Sequence, residues 1–137
     1  MRPFPRSSLG TASLFVLMLA TVRCSSSNVI GPSNQLQVTN VADNFQLQVS
    51  NLSNVTQTLT YSWTNTGDST SINQSSTLTG GSAALSVRAP SGALMYQSDL
   101  TGNGTFHSLK GALGAWQIQL VLTGTSGTIN FRVQKAP

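Results

Sequence analysis

From Gln35 onward the apolar positions recur with a period of two. Leu36 and Val38 alternate with Gln35, Gln37 and Thr39, and Phe45, Leu47 and Val49 alternate with Gln46, Gln48 and Ser50. Val55, Leu59, Tyr61 and Trp63 are interleaved with Thr56, Thr58, Thr60, Ser62 and Thr64. Ala83-Leu85-Val87-Ala89, Trp116-Ile118-Leu120-Leu122 and Ile129-Phe131-Val133 repeat the pattern. Successive side chains of a strand point to opposite faces, so this alternation predicts strands with one buried and one wet face. Thr, Val, Ile and aromatic residues, which pack well on a pleated surface, dominate these runs. No window after Gln35 carries a helical stripe.

Turn-forming residues interrupt the runs at Asn65-Thr66-Gly67-Asp68, Gly80-Gly81, Pro90-Ser91-Gly92, Gly102-Asn103-Gly104 and Gly124-Thr125-Ser126-Gly127. Each group tolerates tight or left-handed backbone. Read as turns, they predict about eight short strands. The expected fold is all-β: a single antiparallel β-sandwich over residues 35–137, jelly-roll or Ig-like, preceded by an N-terminal signal helix. One local repeat stands out: Gln35-Leu36-Gln37-Val38-Thr39-Asn40-Val41 returns as Gln46-Leu47-Gln48-Val49-Ser50-Asn51-Leu52. It predicts two strands of similar environment, each ending at an Asn turn.

The first residues follow another rule. Arg2 and Arg6 precede Leu14-Phe15-Val16-Leu17-Met18-Leu19-Ala20, with no acidic residue before Asp43. A basic start, a short apolar stretch and small polar residues predict a signal peptide over residues 1–23. Even taken from Thr11 to Val22, the stretch falls short of the ~20 residues that span a bilayer. Residues 24–34, with Ser25-Ser26-Ser27 and Gly31-Pro32-Ser33, are expected to form a flexible tether.

Charge changes meaning in this light. The chain carries 7 Lys+Arg against 3 Asp+Glu, a formal +4. Arg2, Arg6 and Arg23 belong to the leader or its boundary. Arg88, Lys110, Arg132 and Lys135 against Asp43, Asp68 and Asp99 then leave a net of +1. Four scattered cations do not supply the phosphate-neutralising face of a nucleic-acid binder, so no nucleic-acid partner is expected. The 20 Ser, 16 Thr, 10 Asn and 10 Gln supply most of the polarity instead. Such a face solvates without charge, and it can also bind glycans or pair with other sheets.

Candidate chemistry is sparse. There is no glutamate, one histidine and one cysteine, so no metal site and no cofactor are expected. Asp99 and Asn103 in Asp99-Leu100-Thr101-Gly102-Asn103-Gly104 suggest a weak calcium loop, but Lys110 occupies the twelfth position, where an EF-hand loop needs Glu. A hydrolase would need His107 as base with Asp99 or Asp68 behind it, and no Gly-x-Ser-x-Gly elbow is present. His107 alternates with Phe106 and is expected to face solvent. Tyr61, Trp63, Tyr96 and Trp116 are candidates for a sugar-stacking platform, with Tyr96 and Trp116 singled out for ligand binding. Tyr61 and Trp63 share a face with Leu59, and Trp116 with Ile118, which predicts core positions first. Asn51, Asn54, Asn73 and Asn103 each open an Asn-x-Ser/Thr triplet, an acceptor only in a eukaryotic secretory pathway.

Cys24, followed by Ser25-Ser26-Ser27-Asn28, resembles the lipobox of bacterial lipoproteins, whose cysteine is diacylated on sulfur and becomes the acylated N-terminus. Arg23 stands where that family has a small residue. The resemblance implies lipidation of Cys24 and a membrane as partner, since two or three acyl chains anchor stably where one does not. Cleavage near Ser26 with loss of Cys24 is the competing expectation.

Tyr61-Ser62-Trp63-Thr64-Asn65-Thr66-Gly67, Asn73-Gln74-Ser75-Ser76, Gly114-Ala115-Trp116-Gln117-Ile118 and Gly127-Thr128-Ile129-Asn130-Phe131-Arg132-Val133 resemble the small, uncharacterised envelope lipoproteins of bacteria. The closing strands resemble, more weakly, the pre-peptidase C-terminal β-sandwich domains. The first resemblance brings no known activity, and no functional residue carries over from either. Taken with the leader, the expectation is an exported, lipid-anchored cell-envelope protein that binds a glycan or envelope protein, or serves a structural role, without catalysis. A secreted carbohydrate- or surface-binding module is the alternative, and a hydrolase using His107 comes third.

Overall fold

The computed structural model describes residues 28–137. The signal peptide expected over 1–23, Cys24 and the start of the tether lie outside the described residues.

The alternating runs form strands. They are β1 (Gln37–Val41), β2 (Asn44–Asn65), β3 (Thr70–Gln74), β4 (Thr77–Arg88), β5 (Leu94–Asp99), β6 (Gly104–His107) and β7 (Gly114–Lys135). All pairings are antiparallel. The all-β expectation holds, with seven strands among the described residues in place of about eight.

The difference lies in two strands of 22 residues each. β7 is central. One side pairs with β2 along its whole length, and the other is shared between β3, which takes Phe131 to Lys135, and β4, which takes Gln117 to Thr128. β1 extends the sheet beyond β2, β6 beyond β3 and β5 beyond β4. Every strand therefore belongs to one hydrogen-bonded sheet.

A straight 22-residue strand would run ~70 Å, far beyond the size of a ~100-residue domain. The strands bend instead. In β2 the register slips between Val49 and Leu52, Leu52 and Val55, and Val55 and Gln57. Asn51 and Asn54 adopt left-handed φ values of 53° and 50° there. At the same height β4 slips around Gly80. Gly81 and Gly127 have φ of +67° and +121°, and a Cβ on Gly127 would lie 2.2 Å from the Thr77 carbonyl oxygen. Gly80-Gly81 and Gly124–Gly127 are thus bulges within continuous strands, not the turns that the sequence suggests. A bulge bends its strand and strengthens the local twist. Three adjacent strands bulging at one level fold the sheet onto itself as a two-layer sandwich.

The apolar face of each run lines the space between the layers. Phe45, Leu47, Ile129, Phe131 and Val133 come from one layer, and Trp63, Leu85, Val87, Trp116, Ile118 and Leu120 from the other, all buried. Trp63 and Trp116 face each other across β2 and β7. Their indole N–H groups donate to the Val41 and Ala112 carbonyls at 2.9 and 2.8 Å, so burial leaves neither donor unpaired.

The repeat divides between two environments. Its second copy lies in β2 with Leu47 and Val49 fully buried, whereas the first copy forms β1, exposed throughout. Asn51 sits at the bulge, but Asn40 lies inside β1 and donates its amide to the Ser62 carbonyl at 3.0 Å. A strand with a neighbour on one side only cannot be covered as one between two neighbours is.

The described part of the expected tether, 28–34, is docked. Pro32–Asn34 form a 3-10 turn, and Asn34 is buried. The Asn34 amide donates to the Asn51 carbonyl at 2.8 Å and the Ser50 carbonyl at 3.3 Å, while its Oδ1 accepts from the Gly31 N–H. Gln57 accepts from the Ile30 N–H, and Asn28 from the Thr56 N–H. The bulge offers unpaired backbone groups, and this segment satisfies them.

Candidate functional site

The aromatic candidates separate. Trp116 is 1% exposed, between Ile118 and the 108–113 loop, and presents no open ring face to a sugar. Trp63 is equally buried, as the alternation predicted. Tyr96 on β5 is half-buried, with its ring 6.1 Å from Phe106 on β6. Its hydroxyl accepts from Gln74 Nε2 at 2.7 Å, linking β3 of one layer to β5 of the other. Burial pushes the Tyr96 phenol above its ordinary pKa, against smaller opposing effects of the Ser98 and Gln74 hydrogen bonds. With Trp116 buried, it offers no ring face to share with Tyr96 in a stacking platform.

His107 lies exposed at the end of β6, as expected. A triad needs a carboxylate to orient the imidazole. The three aspartates are bonded elsewhere. Asp43 accepts from the Thr66 N–H and hydroxyl, Asp68 from Ser69 and Lys110, and Asp99 from the Thr101 N–H. Among the described residues, no three His, Cys, Asp or Glu side chains cluster as metal ligands would.

Asn103, the other calcium candidate, acts as a strand substitute. Its Oδ1 accepts from the Ser76 N–H at 2.9 Å, and its Nδ2 donates to the Ser76 carbonyl at 3.1 Å. Both ends of its amide are engaged by the Ser76 backbone. The pair ties the β5–β6 turn to the β3–β4 turn.

Sequence reasoning missed an open cleft of about 280 Å³ at the bend, lined by Val29, Gly31, Ser33, Asn34, Asn51 and Val55 among others. It exists because 28–34 docks on the bulge. Its lining joins hydroxyls and amides with two valines and has no charge, which suits a small neutral polar group. The only local signals were the two asparagines, and nothing in their spacing shows that they meet.

The opposite end is apolar. The loop between β6 and β7 exposes Leu109 and Leu113 at 68% and 69%, and Leu94 opens β5 nearby. The Leu109 N–H donates to the Met95 carbonyl at 2.9 Å, and the Gly111 N–H to the Asp68 carbonyl at 2.6 Å, so the loop is held in place. The Lys110–Asp68 ion pair, 3.3 Å and well exposed, adds little.

No protein-family model matches the chain, and a search of the curated proteins finds no relative.

Proposed function

We propose that this chain is exported and lipid-anchored through Cys24 at a bacterial cell envelope, where its β-sandwich binds or scaffolds without catalysis. The observation that carries the reading is the leader pattern: Arg2 and Arg6, the apolar Leu14 to Ala20, then Cys24.

The geometry agrees with that arrangement. Asn28, four residues after Cys24, bonds to Thr56 at the bend. Leu113 precedes Gly114, which pairs with Asn65 at the other end of β2. About nine strand residues separate these levels, or ~30 Å. A domain anchored near the bend would present Leu94, Leu109 and Leu113 away from the lipid, where an apolar patch is available to an envelope partner.

Radiolabelled palmitate fed to an expressing bacterium tests the anchor. Label is expected on the wild-type protein and absent from Cys24→Ala. Unlabelled wild-type protein recovered from the medium overturns the anchor and favours a secreted surface-binding module.

A further inference from the structure

We infer that the exposed edge of β1 is a self-association site, at which a second copy of this chain adds its own β1 antiparallel about a two-fold axis.

Three observations carry this. Among the described residues β1 pairs with β2 on one side only, and its flanking Leu36 and its Val38 are 39% and 38% exposed although Val38 shares the inward face with buried Leu47. Alternate N–H and C=O groups of such a strand point away from its single neighbour and template another strand. Edges are ordinarily blunted by Lys, Pro or an inward charge. Residues 35–41 contain none of these.

The complementary sequence is also in the fold. β1 already pairs antiparallel with the second copy of its own heptapeptide, Gln37 opposite Gln48 and Val38 opposite Leu47. Transposing that register by the eleven-residue repeat sets Gln37 opposite Gln37 of the second copy, and Val38 opposite its Leu36. The arrangement maps onto itself under a two-fold rotation, as a closed dimer requires. It is centred on Gln37 at the start of β1, so the contact runs over residues 36–38 and stops at Gln35, whose φ is 49°. Beyond it, Asn40 is tied to the Ser62 carbonyl, and the Val41 carbonyl accepts from Trp63, so that end is already fastened to the second layer.

With a net charge of +1 over residues 28–137, two copies repel weakly. The contact is short and falls below the ~1,200 Å² of standard interfaces, so a weak, concentration-dependent dimer is expected.

Sedimentation equilibrium of the full chain across a hundredfold concentration range tests it. The wild type is expected to dimerise, and Val38→Lys to weaken the dimer at least tenfold. Thr39→Lys, on the outer face of the same strand, should act alike and covers the case in which Val38→Lys unfolds. Gln97→Lys on β5 should dimerise as the wild type does. In a Cys24→Ala background, Gln37→Cys should form an intermolecular disulfide under mild oxidation. A monomeric wild type, association unchanged by both β1 lysines, or no Gln37→Cys cross-link overturns the proposal. So does a monomer whose β1 amides resist hydrogen exchange, which would assign the edge to a segment of the same chain.

Discussion

Phe45 and Tyr61 stand on the same strand sixteen residues apart, yet their ring centroids are 5.2 Å from each other. A straight strand would separate them by ~53 Å. The contact is therefore made by the bend at Asn51 and Asn54, which lays the second half of β2 over the first. Phe131 stacks on the other side of Phe45 at 6.0 Å, so one ring joins both halves of β2 to β7.

Phe45→Ala should destabilise the fold by ~3–5 kcal/mol, because the ring is fully buried and bent strands cannot close the void. Tyr61→Ala should cost less, since that ring is half-buried. A double-mutant cycle read by urea denaturation should give a coupling of ~0.5–1.5 kcal/mol. Strict additivity would mean that the two halves of β2 are not packed through these rings.

Gly127→Ala should be among the most damaging glycine substitutions. Its φ of +121° disfavours a side chain, and the new Cβ would overlap the Thr77 backbone. Gly92 also has a positive φ, of +85°, but a Cβ there meets nothing within 4 Å. Gly92→Ala should cost only the ~1–2 kcal/mol of a left-handed alanine. Thermal midpoints of the two variants separate collision from strain. Equal shifts would contradict the close approach of β4 and β7 at the bend.

Asn34→Ala removes the amide that caps the bulge carbonyls. The expected cost is ~1–3 kcal/mol for leaving buried polar groups unpaired, with residues 28–33 becoming sensitive to protease while the strands stay intact. Limited proteolysis followed by mass mapping reads this directly. Unchanged cleavage would show that Ile30 packing and the Gln57 bond hold the segment without Asn34.

Acid should weaken the fold through Asp43 and Asp68. The Thr66 N–H and hydroxyl, with Lys135, hold Asp43 below its ordinary 3.8, and Lys110 and Ser69 lower Asp68. A lowered folded-state pKa means that the ionised form favours the native state. The contribution is complete above the unfolded value near 3.8 and is lost as pH falls through the lower folded values. Urea midpoints should therefore drop below about pH 4. Asp43→Asn, which tolerates the left-handed turn at that position, should flatten the drop. An identical slope in the variant would remove Asp43 from the account.

Much of this fold is legible in the sequence. The period-two pattern named β1, β4 and both halves of β2 and β7, but not the short β3, β5 and β6, and the buried face it implied for β1 is exposed. It placed Trp63 and Trp116 inside and His107 outside, and the turns at Asn65–Asp68, Pro90–Gly92 and Gly102–Gly104 are where the residues say. These are local matters, decided by side-chain alternation and backbone preference.

Three things were decided only by tertiary structure. Whether Gly80-Gly81 and Gly124–Gly127 turn the chain or bulge it depends on what the strand pairs with afterwards, and a glycine serves both. The two copies of the heptapeptide share one local pattern, yet one is buried and the other is exposed because only the second has strands on both sides. The segment 28–34 reads as a linker by composition, but Ser50 and Asn51 at the bulge, 16 and 17 residues beyond Asn34, supply the carbonyls that hold its amide. Each outcome depends on partners distant in sequence, which a period of two does not encode.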